Sequence, residues 1–310
     1  MPKTKIIIVG IGGVGGYFGG LLARQYNENE NNEISFVARG SHLQYIKKNG
    51  LKVISGQETW TVHPKIATDD ASEIGTADLI VLCTKSYDLE STIPLLLPAI
   101  NKDTIVLPLL NGVDSKDKIK NILPDNLVLD GCVYIVSRLI QDGIIENSGN
   151  IQKLFFGLNN LEDDRLFFFE DLFKRAGIDA TLSQNISTII WEKFIFLSPI
   201  ATSTSYFDTC IGDIISDSEK LGKLKTLIEE VKRLAIAKHI HLDDDINEKT
   251  LQKLKALPYY ATSSMHSDFK KNKAYTELKS LTAYVIDEGR KYNVETPIFR
   301  NMYLFLRAKR

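Results

Sequence analysis

The chain has 310 residues, of which 44% are hydrophobic and 25% charged, and 38 Lys and Arg against 39 Asp and Glu leave a net charge of −1. That length suits two domains, the balanced charge excludes a nucleic-acid binder working through a general basic field, and no apolar run reaches the ~18 residues of a membrane helix. Cys83, Cys132 and Cys210 are too few and too scattered for a disulfide framework or a zinc site, and fit buried thiols in a reducing cytoplasm.

At the N-terminus, Met1-Pro2-Lys3-Thr4-Lys5 followed by Ile6-Ile7-Ile8-Val9 imitates a secretory signal, but glycines interrupt the apolar run at once. A short β-branched run without alternation predicts a strand buried on both faces, as in a parallel sheet. Seven of the 20 glycines then fall between Gly10 and Gly20. Gly10-Ile11-Gly12-Gly13-Val14-Gly15 opens a helix with Phe18, Leu21 and Leu22 at helical spacing. Strand, G-x-G-x-x-G and helix together are the context of a dinucleotide-binding turn. Gly10 makes the tight turn, Gly12 admits backbone to a pyrophosphate, and Gly15 lets helix pack on strand. The free N–H groups of the helix start face the phosphates. Gly10, Ile11, Gly12, Gly13, Val14 and Gly15 are the candidate cofactor cradle. The second strand, Glu33 to Ala38, ends in Arg39-Gly40-Ser41-His42. An NAD site usually carries Asp or Glu there, whereas Arg39 suits the 2′-phosphate of NADPH.

Further strands run through Ala77 to Cys83 and Thr104 to Leu110, with a helical stretch from Leu89 to Ile100 between them. This β-α-β alternation implies a doubly wound parallel sheet. Ligands bind beyond the carboxyl ends of such strands, which makes Lys85 and Asn111 candidates at the cofactor–substrate edge. Solvated Lys and turn Asn remain the alternatives. Residues Leu127 to Leu158 read as β-rich, and Leu161 to Ala176 as an amphipathic helix ending at Gly177.

From about Asn185 helical patterns take over, at Ile186 to Phe207 (interrupted by Pro199), Asp213 to His239, Asp244 to Leu257 and Tyr275 to Asn293. The expected domains are therefore 1–184, an NADP-binding Rossmann-type domain, and 185–310, a helical substrate and catalytic domain. The fold class is α/β, a doubly wound parallel sheet followed by an all-α C-terminal domain. His239 and His241 lack a third ligand, so no metal is expected. Arg307, Lys309 and Arg310 read as a solvated basic tail.

Over nearly its whole length the chain resembles the ketopantoate reductase (2-dehydropantoate 2-reductase) family. The likeness rests on the glycine turn, Arg39-Gly40-Ser41-His42-Leu43, Asn49-Gly50-Leu51, Thr84-Lys85-Ser86 and Leu110-Asn111-Gly112-Val113. It continues in Ile190-Trp191-Glu192-Lys193, Thr262 to Asp268, Thr276-Glu277-Leu278 and Val294-Glu295-Thr296-Pro297. The resemblance implies hydride transfer from NADPH to the ketone carbon of a 2-oxo acid. Lys193 would be the general acid and carbonyl polariser, and Glu277 its charge partner and substrate orienter. Ser264 would bind substrate, and Lys85 and Asn111 would lie where cofactor and substrate meet.

Two asparagines that the family carries one and two turns beyond the lysine are replaced here by Leu197 and Ala201, and a third by Ala261. Leu197 and Ala201 thus become candidate substrate-facing positions. Either Ser198 and Thr202 turn into the site where Pro199 disturbs the helix, or the substrate is a less polar carbonyl compound. The expected function is 2-dehydropantoate reduction in pantothenate biosynthesis. The alternatives are a same-family reductase of another, less polar carbonyl compound and a non-catalytic NADP-binding sensor. Expected partners are a small-molecule 2-oxo acid and, as an open option, a second copy in a homodimer, with no nucleic acid and no membrane.

Overall fold

Ile6, Ile7, Ile8 and Val9 can all be apolar because their strand is covered on both sides: Ile6 and Ile8 enter one core, Ile7 and Val9 another. The computed structural model describes residues 3–26, 31–160 and 162–309. Met1, Pro2, Leu161 and Arg310, used above at the N-terminus, a helix start and the basic tail, lie outside the described residues. The chain divides into two units, Met1–Leu110 with Asp114–Ile186 and Asn111–Val113 with Ser187–Arg310.

The first unit alternates β1 (Thr4–Val9), α1 (Gly13–Tyr26), β2 (Asn32–Val37), α2 (Gly40–Asn49), β3 (Leu51–Ser55), β4 (Glu58–Val62) and β5 (Ala67–Thr68). Then follow β6 (Leu79–Leu82), α3 (Leu89–Leu96), β7 (Ile105–Pro108), α4 (Ser115–Lys120), β8 (Leu127–Val128), β9 (Asp130–Gln141), β10 (Ile144–Gly157), α5 (Asp164–Arg175) and β11 (Asp179–Ser183). Six strands form a parallel sheet in the order β5-β2-β1-β6-β7-β8. Counted along the chain this is 3-2-1-4-5-6, the Rossmann order, whose direction of winding reverses between β1 and β6. In open sheets of this kind ligands bind at that reversal, beyond the carboxyl ends of the two strands.

A second, mixed sheet runs β11-β10-β3-β4, with β9 paired to β10. The β-rich stretch expected from Leu127 to Leu158 supplies β9 and β10 but not the whole of this sheet. Its missing half is the β3–β4 hairpin, where Ser55 pairs with Glu58 around a two-residue turn with Gly56 at φ +59°. Leu51, Val53 and Val62 of that hairpin are buried with Phe18 and Leu22 of α1. α1 therefore has sheet residues against it from both sheets, which is why small residues Gly16, Gly19 and Gly20 recur along it: an added Cβ would lie 2.6 Å from Ile145, 3.0 Å from Phe36 and 2.7 Å from Val53 respectively.

The second unit contains α6 (Ile186–Phe207, begun in the first unit), α7 (Ile211–Ser216), α8 (Ser218–Ala237), α9 (Ile246–Lys255), α10 (Ser264–Lys270), α11 (Tyr284–Lys291) and α12 (Pro297–Ala308). The single helix expected over Asp213 to His239 is two. Asp217 adopts extended φ/ψ and its carboxylate accepts the N–H groups of Glu219 and Lys220, so it ends α7 and caps α8. The helix expected from Tyr275 begins later, and its first regular segment is a π-turn over Lys279–Ala283. α12 starts at Pro297, whose fixed φ and missing N–H suit a first helical position. Among the described residues no helix is long and apolar enough to cross a membrane.

Glu230 of α8 joins two of these helices. It is 0% exposed, and its carboxylate accepts N–H bonds from Ile298 (2.9 Å) and Phe299 (3.1 Å) in the first turn of α12. Burial, opposed by those two bonds, holds its carboxyl above the ordinary 4.5. Glu230→Gln keeps the shape but sets an amide against an N–H, and is expected to lower unfolding stability by about 1–3 kcal/mol in urea titrations. The folded protein binds this proton more tightly than the unfolded chain. The wild type's margin over Glu230→Gln should therefore widen as pH falls through the folded-state value towards 4.5. A margin that stays constant or narrows as pH falls would contradict the raised carboxyl pKa, and a Glu230→Gln urea midpoint equal to wild type at neutral pH would contradict the capping role.

Candidate functional site

The glycine turn of the first unit is shaped by close approaches as much as by ligand access. Gly10 has φ +87°, and a Cβ there would meet the Thr84 nitrogen at 2.9 Å. Gly15 lies so close to the turn that a Cβ would sit 2.2 Å from the Gly10 carbonyl oxygen. Gly13 is constrained by a strand the motif did not point to, with Ser137 of β9 crossing so that a Cβ would fall 2.2 Å from its carbonyl oxygen. The Ser137 hydroxyl donates to the Gly13 carbonyl at 2.9 Å. Gly12 is different, because a Cβ there meets nothing within 4 Å. Open space beside Gly12 at the start of α1 is the cradle that a pyrophosphate needs.

Ile11 and Val14 divide their roles between backbone and side chain. The Ile11 side chain is in the core, 3% exposed, while its carbonyl accepts from Nε2 of His42 at 2.7 Å. The Gly143 N–H donates to Nδ1 of the same ring at 2.9 Å. Since one nitrogen must donate to a carbonyl and the other must accept, His42 is neutral with its proton on Nε2. It ties the glycine turn to the β9–β10 loop. Val14 packs half-buried against the same core.

Arg39 stands immediately before α2, at the carboxyl end of β2, with 78% of its side chain exposed. Its Nη2 donates to Asp88 at 3.0 Å, a partner 49 residues away that no local pattern indicates. A guanidinium has five donors, so this pairing orients the group while leaving it able to take a phosphate. Lys85 opens the turn after β6, where its carbonyl accepts the Asp88 N–H at 2.9 Å. One residue earlier, the Thr84 hydroxyl is buried with no hydrogen-bond partner in the protein. An open glycine cradle, a phosphate-capable arginine and an unsatisfied hydroxyl at the winding reversal fit a dinucleotide. Burial pushes the nearby Cys83 thiol above its ordinary range, so it stays neutral.

Asn111, Lys193 and Glu277 meet in the second unit. The Lys193 Nζ donates to Oδ1 of Asn111 at 3.1 Å, and Nδ2 of Asn111 reaches Oε2 of Glu277 at 3.5 Å. The amide has one consistent orientation, carbonyl to ammonium and amino group to carboxylate. Glu277 is 2% exposed and Lys193 is half-buried. The chain thereby places an ammonium donor next to a buried balancing carboxylate, an arrangement that can polarise a carbonyl and supply a proton.

The other predicted substrate positions are distributed differently. Leu197 and Ala201 follow Lys193 by one and two turns of α6. Leu197 is half-buried against the helical core and Ala201 lies wholly within it, 0% exposed. Ser264 is exposed at the first position of α10, beyond the capping Ser263. Ser198 and Thr202 are both 0% exposed. Ser198 donates to the Leu281 carbonyl at 2.6 Å and Thr202 pairs with the Thr282 hydroxyl at 2.8 Å, and α6 continues through Pro199. Neither hydroxyl turns towards Lys193.

Among the described residues no group of three or more His, Cys, Asp or Glu is placed to hold a metal ion.

The chain matches the family described as Ketopantoate reductase PanE/ApbA over residues 6–160 and its C-terminal domain over residues 185–310. A 2-dehydropantoate 2-reductase of Streptococcus pyogenes serotype M18 (strain MGAS8232) is 27% identical over 98% of this chain and 97% of its own. The crystal structure of 2-dehydropantoate 2-reductase from Porphyromonas gingivalis W83 is 34% identical, with a TM-score of 0.86 over 98% of this chain and 99% of that one. A D-mandelate dehydrogenase solved with NADH and anilino(oxo)acetate is 25% identical, with a TM-score of 0.86 over 99% and 98%. Matched in both halves and along nearly its full length, the chain belongs to the ketopantoate reductase family, as an oxidoreductase that uses a nicotinamide cofactor.

Proposed function

We propose that this protein uses NADPH to reduce a 2-oxo acid to the 2-hydroxy acid, with 2-dehydropantoate as the first substrate to test. The observation that carries this reading is the Lys193–Asn111–Glu277 cluster. Support comes from the relatives named as 2-dehydropantoate 2-reductases. Pantoate as product would place the chain in pantothenate biosynthesis, in the cytoplasm.

NADPH, when bound, supplies the hydride that adds to the ketone carbon. Gly10 to Gly15 hold its pyrophosphate at the start of α1, and Arg39 takes the 2′-phosphate. Lys85 lies at the cofactor edge. Lys193 donates from Nζ to the ketone oxygen, stabilises the charge that develops there and gives up a proton as the alkoxide forms. Asn111 aims that ammonium, and Glu277 offsets its charge from a buried position. Ser264 offers a hydroxyl to the substrate.

A second reading concerns the substrate side chain. With Ser198 and Thr202 bonded to the π-turn and Ala201 enclosed in the core, the side chain that α6 offers one turn beyond Lys193 is the half-buried Leu197, which has no hydrogen-bonding group. A pocket without donors gains nothing from a substrate hydroxyl and must desolvate it. This favours an apolar 2-oxo acid, a class to which the anilino(oxo)acetate of the D-mandelate dehydrogenase structure is related in form.

Three measurements test these roles. NADPH oxidation by Lys193→Ala is expected to fall by about 10²–10⁴ in kcat while NADPH binding stays within twofold, as for loss of a general acid; wild-type turnover would remove Lys193 from the chemistry. Arg39→Ala should raise the KM for NADPH by about tenfold or more, the cost of one charge-assisted contact, and leave NADH unchanged. Equal use of both cofactors by the wild type would overturn the 2′-phosphate assignment. Comparing 2-dehydropantoate with 3,3-dimethyl-2-oxobutanoate, the same skeleton without the hydroxyl, decides the substrate. A higher kcat/KM for the first supports pantoate formation, and a higher value for the second supports the apolar acid.

A further inference from the structure

Five hydroxyl residues of α6, Ser198, Thr202, Ser203, Thr204 and Ser205, are 2% exposed or less. Their bonds differ. Ser203 and Ser205 turn back to carbonyls of their own helix, Ile200 and Ala201, as hydroxyls in helices commonly do. Thr204 does so as well, and also meets the capping Ser263 at 3.0 Å. Ser198 and Thr202 instead cross to the π-turn at Lys279–Ala283, one to a backbone carbonyl and one to a side-chain hydroxyl.

That π-turn is the segment that follows Glu277. The Leu281 N–H donates to the Glu277 carbonyl at 2.9 Å, and the Leu281 carbonyl accepts from Ser198 at 2.6 Å. The Ser280 hydroxyl adds a bond to the same Glu277 carbonyl at 3.2 Å. The contacts close a ring. Lys193 reaches Asn111, Asn111 reaches Glu277, Glu277 is bonded through its backbone to Leu281, and Leu281 is bonded to Ser198, five residues beyond Lys193 on the same helix. π-turns are rare and costly departures from the α-helix, often found where a side chain has to be aimed. Relaxing this one to α-geometry would rotate the preceding chain by about a residue's angle, on the order of 100°, and turn Glu277 away from Asn111.

We infer that Ser198 and Thr202 are positioning residues: their hydroxyls lock the π-turn and so hold Glu277 in line with Asn111 and Lys193. This rests on the reading of Lys193 and Glu277 given above. Neither hydroxyl touches substrate or cofactor; both act through Glu277.

Thr202 allows a test that separates hydroxyl from packing. Thr202→Val keeps the shape and loses the hydroxyl, whereas Thr202→Ser keeps the hydroxyl and loses a methyl. The assay uses full-length protein, saturating NADPH and the faster of 2-dehydropantoate and 3,3-dimethyl-2-oxobutanoate, with folding checked by NADPH binding. Thr202→Val and Ser198→Ala should each lower kcat by about tenfold or more, in line with small misplacements of a reacting group, while the Kd for NADPH stays within twofold. Thr202→Ser should retain at least about half the wild-type kcat on the same argument. In a Glu277→Gln background the Ser198→Ala loss should shrink to less than about twofold, because the two act as one unit. The same loss in both backgrounds, or a Thr202→Val enzyme more active than Thr202→Ser, would overturn the inference. Full activity of Lys193→Ala and Glu277→Gln would instead overturn the reading beneath it.

Discussion

The side-chain amide of Asn111 presents its carbonyl to the Lys193 ammonium and its amino group to the Glu277 carboxylate. A carboxylate only 2% exposed is costly to bury without donors, and an ammonium beside it is held best when its hydrogen bonds are met as well. A neutral amide with opposite polarity at its two ends meets both needs at once. In the same unit α6 carries Lys193, the π-turn comes shortly after Glu277, and Gly112 at φ +103° lets the chain turn directly after Asn111.

The first unit solves a different problem, bringing backbone close to backbone while leaving one face open. Its glycines are not interchangeable. Gly10, Gly13 and Gly15 are filled on the protein side by Thr84, Ser137 and the turn itself, whereas the space at Gly12 is clear. The parallel order 3-2-1-4-5-6 then sets this open point at the winding reversal, with Arg39 at the end of β2 and the unsatisfied Thr84 hydroxyl at the end of β6. The fit to a dinucleotide is thus a consequence of strand order, helix start and the one glycine of the turn left clear acting together.

Local patterns made much of this legible. The unbroken apolar run at Ile6 to Val9 announced a strand buried on both sides, and the glycine spacing after it announced the turn. The order of motifs pointed to the family and through it to Lys193 and Glu277. What could not be read were interactions between residues far apart in sequence. Nothing near Arg39 signals Asp88, and nothing near Gly13 signals Ser137. The hairpin of β3 and β4 was hidden because strands this short differ little from loop in composition, and their burial depends on α1. The break at Asp217 was written in the sequence as a capping residue, but the apolar spacing continued across it. The fate of Ser198 and Thr202 was left open for the same reason. Pro199 suggests a disturbed helix, yet the partners that hold both hydroxyls sit some eighty residues further along the chain.

Lys193 as the proton donor is the claim on which the chemical account depends. A crystal structure of the protein with NADPH and a non-reducible 2-oxo acid analogue tests it most directly. The account predicts the analogue's ketone oxygen within hydrogen-bonding distance of Lys193 Nζ, with the Asn111 amide still bridging to Glu277. A bound analogue whose ketone oxygen is held by other groups, with Lys193 turned away, would contradict it.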